Sequence, residues 1–306
     1  MNGTEIEIVA IPELTDGQDS LMDLHSVLNL LNVIHGELTV MGLELADDPE
    51  LMNDGLKRCE SMKADLMNPA ASLRHIESLP ETKAEIDAIV AATLVRFPQQ
   101  AELQSVQESV GNIAAVFQIF EVRAREILAR KKEPGKWVEM SIDDIQADFQ
   151  SVFAAMEKHS HGRYRILCNL AMQESNDYFV DFAVQADEGR DTIAMPLIFK
   201  DVMRDLIANA RKYSPLGSSI IVGLYESSDS LKFVVQDTGR GIPASEIKKV
   251  FEYGERGSNV EGVRTMGGGF GLTKAFYITK QFGGRFWITS EVDQGTRIRI
   301  ELPRPS

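Results

Sequence analysis

The sequence predicts an α+β chain of two modules, a helical N-terminal part followed by an α/β sandwich. Three observations carry this. Apolar residues recur at helical spacing through residues 19–132. Glu133-Pro134-Gly135 then supplies a hard stop, since proline cannot continue a helix and glycine frees the backbone. Beyond it, period-two runs alternate with glycine-rich turns. The expected divisions are a short N-terminal segment (1–18), a helical module (19–132) and an α/β module (136–306). With 306 residues and 43% hydrophobic content, the chain can bury two cores.

In chain order, residues 23–38 form the first long helix, with Leu24, Val27 or Leu28, Leu31, Ile34 and Leu38 on one stripe. Its partner spans 99–132, with Leu103, Val106, Val110, Ile113, Val116 or Phe117, Phe120 and Ile127 as the apolar positions. Between them, 51–67 and 81–97 read as additional helices that lengthen the bundle, cap it, or let one chain form four helices alone. Past the stop, 137–140 and 141–158 read as a strand and a helix that open the sandwich. Residues 231–236 form a strand ending in an Asp237-Thr238-Gly239-Arg240-Gly241 turn, and 273–280 form a helix behind a run with four glycines in 267–271. Strands 285–290 and 296–302 close the module. Alternation in the last puts Ile298, Ile300 and Leu302 on one face and Arg297, Arg299 and Glu301 on the other, as for a sheet covered on one side.

Four short stretches stand in one order: Asp205-Leu206-Ile207-Ala208-Asn209-Ala210, Asp237 to Gly241, Gly267-Gly268-Gly269-Phe270-Gly271-Leu272, and Gly295-Thr296. Together they resemble the N, G1, G2 and G3 boxes of the Bergerat-fold ATPases, the superfamily of DNA gyrase, the Hsp-type chaperones and the histidine kinases. The resemblance covers about residues 136–304. It implies ATP and Mg²⁺ as cofactors and a role for each box. Asn209 would ligate Mg²⁺ through its amide oxygen, as befits a hard cation. Asp205, four residues earlier, shares its helical face and would join the metal's water shell or polarise a water. Lys212 would meet phosphate and Tyr213 would border the nucleotide. Asp237 would accept from the adenine amine while Gly239 and Gly241 let backbone approach the base. Gly267, Gly269 and Gly271, with Leu272 opening the helix, would offer backbone N–H groups to phosphate, with Thr296 completing the pocket. Residues 251–266, carrying Gly254, Gly257, Gly262, Arg256 and Arg264, read as a lid over the site.

The superfamily does several jobs, so the N-terminal module must choose among them. His25 is followed by Asn29 at four residues, Ile34 at nine and Gly36 at eleven, a register similar to the phosphoacceptor box of two-component sensor histidine kinases. His35 fits this register poorly, and His75, His159 and His161 are expected to have no catalytic role. The resemblance implies a helical dimerisation domain, phosphorylation of His25 and exchange with an aspartate on a response-regulator receiver domain. Asn29 matches a residue that positions water for regulator dephosphorylation. Ser26 stands where the family usually has an acidic residue to take up the histidine proton, which favours a phosphatase-dominant balance. Two alternatives follow from departures. One is an ATP-binding phosphorelay scaffold without autokinase activity, suggested by Ser26. The other is a protein Ser kinase or ATPase of the same fold, suggested by Asp205 and Phe270.

A net charge of −14 argues against nucleic-acid binding, which needs clustered Lys and Arg. Cys59 and Cys168 carry no motif and fall in different modules, as in a reducing compartment. No stretch reads as membrane-spanning and no signal peptide is evident. The expectation is a cytoplasmic homodimer whose input comes from a partner, from the extra helices, or from a sensor in a longer protein.

Overall fold

The computed structural model describes residues 3–158, 162–260, 262 and 268–305. His159 and His161, along with Arg264 and Gly267, lie outside the described residues.

The chain divides into two units, 13–134 and 1–12 with 135–306. The leading segment thus splits. Its first part forms strand β1 (Ile6–Ile8) in the second unit, and its last part enters helix α1 (Asp16–Asp23) of the first. Thr15 caps α1 by a capping box with Gln18.

After α1, a single non-helical residue, Leu24, turns the chain into α2 (His25–Ala46). There follow α3 (Asn53–Asp65), α4 (Pro69–Glu77), α5 (Leu79–Arg96) and α6 (Gln104–Lys132). The apolar stripe of α2 is buried as the periodicity requires, at Leu24, Val27, Leu31, Ile34 and Leu38, and extends to Met41 and Leu45. On α6 the buried positions are Val106, Ile113, Phe117, Phe120, Ala124 and Ile127. Leu103 is not among them: it is 44% exposed and extended, so the helix begins one residue later than this N-cap, after a 3₁₀ turn at Gln100–Glu102. Met52, Leu56, Cys59, Met62, Leu66, Ile76, Leu79, Ile86 and Val90 from the intervening segment join α2 and α6 in one core. The extra helices therefore complete a bundle within one chain. Helix α4 was not anticipated, although Asn68-Pro69 signals it: the Asn68 side-chain Oδ1 accepts from the Ala70 and Ala71 amides, and Pro69 sits in the first turn. Contrary to the sequence reading, α2 is long and apolar enough by composition to cross a bilayer, but its apolar stripe is spent on this core.

The second unit continues with β2 (Trp137–Ser141), α7 (Ile142–Lys158), β3 (Ile166–Leu167), β4 (Tyr178–Gln185), β5 (Thr192–Pro196), α8 (Phe199–Tyr213), β6 (Ser219–Glu226), β7 (Ser230–Gln236), α9 (Gly271–Gln281), β8 (Arg285–Glu291) and β9 (Gly295–Pro303). Seven strands form a mixed sheet in the order β1-β8-β9-β7-β6-β4-β3. Strand β2 is not in it; β2 and β5 make a separate antiparallel ribbon. Helices α7, α8 and α9 cover one face and enclose a core that includes Phe149, Phe199, Phe233, Phe251 and Phe286. Ile298, Ile300 and Leu302 point into it, and Arg297 and Arg299 point away. The architecture is α+β, a helical bundle followed by a Bergerat-type α/β sandwich.

At the sheet's edge, β1 pairs antiparallel with β8, Ile6 opposite Ile288. Ile8 enters the core, while Glu5 and Glu7 take bidentate hydrogen bonds from Arg299 (3.0 and 2.6 Å) and Arg285 (2.9 and 2.6 Å). The Trp287 ring lies beside both guanidinium groups, 3.7 Å from Arg299 and 4.6 Å from Arg285.

Candidate nucleotide site

Helix α8 buries Phe199, Val202, Met203, Leu206, Ile207 and Ala210 against the sheet. That choice of face leaves Asp205, Asn209, Lys212 and Tyr213 half-buried on its other side. Strand β7 delivers Asp237 to the sheet end, and the β8–β9 hairpin brings Thr296 to it. One Asp237 oxygen, Oδ1, accepts from the amides of Gly239 (2.8 Å) and Thr296 (3.1 Å); its other oxygen accepts from nothing among the described residues. The side chain is buried, and burial pushes its pKa up to about 6 despite the two amides, which pull the other way.

Two glycines make this turn possible. A Cβ on Gly239 would lie 2.4 Å from the Tyr213 carbonyl oxygen, and one on Gly241, where φ is +63°, would lie 1.9 Å from that of Glu291. Backbone bonds Arg240 N–H to Tyr213 O (3.1 Å), Asp293 N–H to Arg240 O (2.9 Å) and Asp237 N–H to Thr296 O (2.9 Å) tie the three segments together. A cavity of about 260 Å³ opens beside them, lined by Lys212, Tyr213, Thr238, Gly239, Arg240 and Asp293 among others.

Lys212 is the electrostatic anomaly of the site. Burial, with Arg256 and Arg211 nearby, lowers its pKa to about 8, and no carboxylate pairs with it among the described residues. A desolvated cation with cationic neighbours and no counter-charge is a seat for an anion.

The glycine-rich turn meets α8 directly: a Cβ on Gly271 would stand 2.7 Å from Asn209 Nδ2. Gly269, at φ +81°, abuts the backbone of Gly254, and the Tyr253 and Phe270 rings stack at 4.6 Å beside that contact. Leu272 is half-buried against the core. The expected lid needs correcting at its start. Phe251 is a core residue packed edge-on against Phe276 and Phe286, and Thr273 Oγ1 donates to its carbonyl. Residues 258–259 are also pinned: Glu246 accepts from Ser258, and the Asn259 amide donates to Gly241 O at 3.0 Å.

Asp205, expected to join a metal's water shell or polarise a water, carries a protein partner: Lys274 Nζ reaches its Oδ2 at 3.1 Å. Lys274 lies in the anticipated helix 273–280 with no role assigned to it, and nothing in the local pattern points to its partner on α8. The structure thus brings together Asp205, Asn209, Gly271 and Lys274, and separately Asp237, Gly239, Gly241 and Thr296 with the Tyr213 backbone.

The helical unit holds the other candidates. His25 is the first residue of α2, half-buried, with its Nδ1 3.2 Å from the Asn29 amide nitrogen. His35 faces Glu60 (3.4 Å) and His75 faces Asp65 (2.8 Å).

The α/β sandwich with this constellation defines a nucleotide-binding ATPase module. Residues 195–306 match the family described as histidine kinase-, DNA gyrase B-, and HSP90-like ATPase. Among curated proteins the chain is 27% identical over 169 residues to the adaptive-response sensory kinase SasA of Gloeothece citriformis, covering 53% of this chain and 42% of that one. It is 31% identical over 157 residues to the sensor kinase CckA of Brucella abortus, covering 45% and 16%. The catalytic domain of histidine kinase ThkA is similar at 17% identity and a TM-score of 0.39, covering 55% of this chain and 95% of that one. The chain is a sensor histidine kinase relative carrying this ATPase domain, and it spans less than half the length of the curated relatives it matches.

Proposed function

We propose that the chain is a protein-histidine kinase core that binds Mg-ATP in the α/β unit, phosphorylates His25 and exchanges that group with a response-regulator aspartate. The observation that carries the ATP reading is the buried Asp237 carboxylate, one oxygen held by two backbone amides and the other left to accept from an adenine amine. Gly239 and Gly241 let the turn that carries this carboxylate pack against the Tyr213 and Glu291 backbone. Lys212 supplies the counter-charge a triphosphate needs, and Gly269 and Gly271 bring backbone to the phosphates.

The residues fit a magnesium ion carried in by the nucleotide. No cluster of three or more His, Cys, Asp or Glu side chains converges among the described residues, so the protein alone offers no metal cage. The Asn209 amide oxygen has no hydrogen-bond partner among them and is available as one ligand. When bound, the ion would screen the charge developing on the transferred phosphoryl group.

For His25 the chemistry asks for a lone pair on the attacking nitrogen. Asn29 Nδ2 faces Nδ1 at 3.2 Å, which fits donation to a bare Nδ1 with the proton on Nε2; turning the amide over would let its carbonyl accept from Nδ1–H and leave Nε2 as the nucleophile. The acidic residue that in many kinases stands next to the histidine and takes up the proton of its non-attacking nitrogen is replaced by Ser26, so the reading includes a regulator-phosphatase balance in which Asn29 orients water. The outer faces of α2 and α6 expose Val40, Leu43, Ile119 and Val122, which support pairing of two copies through the bundle and docking of a receiver domain there. Cys59 and Cys168 are both free thiols, which supports a reducing, cytoplasmic setting for this part of the protein.

Incubation with γ-labelled ATP and Mg²⁺, comparing wild type with His25→Ala and His35→Ala, tests this. Acid-labile label lost only in His25→Ala is expected. Intact ATP binding without label would favour the scaffold reading that Ser26 suggests, and acid-stable label would favour a Ser kinase.

A further inference from the structure

Helices α8 and α9 meet through two successive contacts. At one, Asn209 touches Gly271; at the next, one turn toward the start of α8 and one turn into α9, Asp205 meets Lys274. The Lys274 side chain is 9% exposed and the Asp205 side chain 43%, so the ammonium is buried while the carboxylate keeps an open side. The other charges on α8 face away from this contact or are engaged elsewhere: Lys200 pairs with Asp148, Arg204 with Asp201, and Arg211 donates to the Tyr164 hydroxyl. Lys212 lies two turns from Asp205. Lys274 is thus the cation that answers Asp205.

We propose that Lys274 is a positioning residue that neutralises Asp205, making the pair a charge-balanced wall of the phosphate pocket in which Asp205 serves neither as metal ligand nor as general base. This rests on the nucleotide reading above. A lone carboxylate one helical turn from Asn209 would oppose a polyphosphate bound there. A buried ammonium without its partner would attract the polyphosphate and leave an unpaired charge in the helix interface. The balanced pair does neither, and it sets the separation of α8 and α9 at the point where Asn209 and Gly271 must stay in contact. Asp205 is then held to the α9 interface, turned away from the role of activating water.

The test is equilibrium titration of wild type, Lys274→Met, Asp205→Asn and the double variant with adenosine, ADP and ATP, each in EDTA and in Mg²⁺. Lys274→Met should weaken ATP about tenfold in EDTA, ADP less, and adenosine hardly at all, because the effect scales with phosphate charge. Asp205→Asn should tighten ATP and keep the gain in affinity that Mg²⁺ gives. The double variant should return to within about threefold of wild type, as charge balance demands. Equal weakening of adenosine and ATP by Lys274→Met, or no recovery in the double variant, would show a structural role only and overturn the proposal. Loss of the Mg²⁺ gain in Asp205→Asn would make Asp205 a metal ligand and also overturn it. If Lys274→Met does not fold, Asp205→Asn and the double variant decide by the same criteria. Failure of wild type to bind adenosine or ATP sinks the nucleotide reading itself, whereas wild-type binding without phosphate-dependent responses sinks the pair alone.

Discussion

The two units hold their candidate residues by opposite means. In the α/β unit, Asp237, Gly239, Gly241 and Thr296 are fixed by backbone hydrogen bonds and glycine contacts in which added atoms have no room. In the helical unit, His25 stands at the start of a long helix, half-buried beside Asn29, and the order around it comes from a generic apolar core. A site that must match one ligand's edge needs its backbone fixed. On the proposed reading, a group handed between an ATP site and a regulator needs only a stable helix to stand on. Substitutions should therefore separate stability from function in different directions in the two units.

The largest effect belongs to the helical core. Phe120 is fully buried and stacked on Phe117, and Phe120→Ala should cost about 3–5 kcal/mol, enough to unfold a marginal bundle. Nucleotide affinity of the α/β unit should survive, which a paired thermal melt and ATP titration would check; joint loss would mean the units are not independent. Gly241→Ala comes next. Its Cβ would strike the Glu291 carbonyl in a left-handed backbone, so a loss of about 2–4 kcal/mol and of ATP binding together is expected from the same pair of measurements.

Asp237→Asn should do the reverse. The ionised carboxylate is disfavoured in the folded state by burial, and the amide oxygen can still accept from Gly239 and Thr296. We expect a gain of about 1–3 kcal/mol at neutral pH with loss of ATP binding. The same shift has a pH signature. A carboxylate raised to about 6 from 3.8 penalises the fold fully above the upper value, and the penalty fades as pH falls between the two. This group thus favours stability on acidification while ATP affinity falls about tenfold per unit below its folded pKa, and calorimetry from pH 7 to 5 should show the two trends crossing. At the small end, His25→Gln should change the melting free energy by less than about 1 kcal/mol while removing the acid-labile label. A large destabilisation would make His25 a structural residue and erase the contrast between units.

How legible each unit was follows from the same physics. The boxes of the α/β unit could be read because glycines at fixed offsets have no substitute where φ is positive or backbones touch, as at Gly241 and Gly269. The helical stripes could be read because burial imposes period on α2 and α6. The Asp205–Lys274 pair could not, since it joins residues on two helices that nothing in their local patterns relates. Helix α4 was missed because nine residues carry too few periods to register. The start of the lid was misplaced because Phe251 sits in a glycine-rich neighbourhood, while its burial depends on Phe276 and Phe286 from elsewhere in the chain. Strand β1 escaped because three residues are short for a strand signal, and its partner lies at the far end of the sequence.

That strand has a kinetic consequence. Pairing Ile6 with Ile288 closes a stretch of sequence that spans nearly the whole chain and includes the residues of the bundle. Closure entropy grows only slowly with length, about 0.6 kcal/mol per doubling, so the thermodynamic cost is modest, but the search for such a contact is slow. β1 should therefore zip onto β8 last during folding, after the sheet and bundle exist, and its amides should be among the first of the sheet to exchange with solvent.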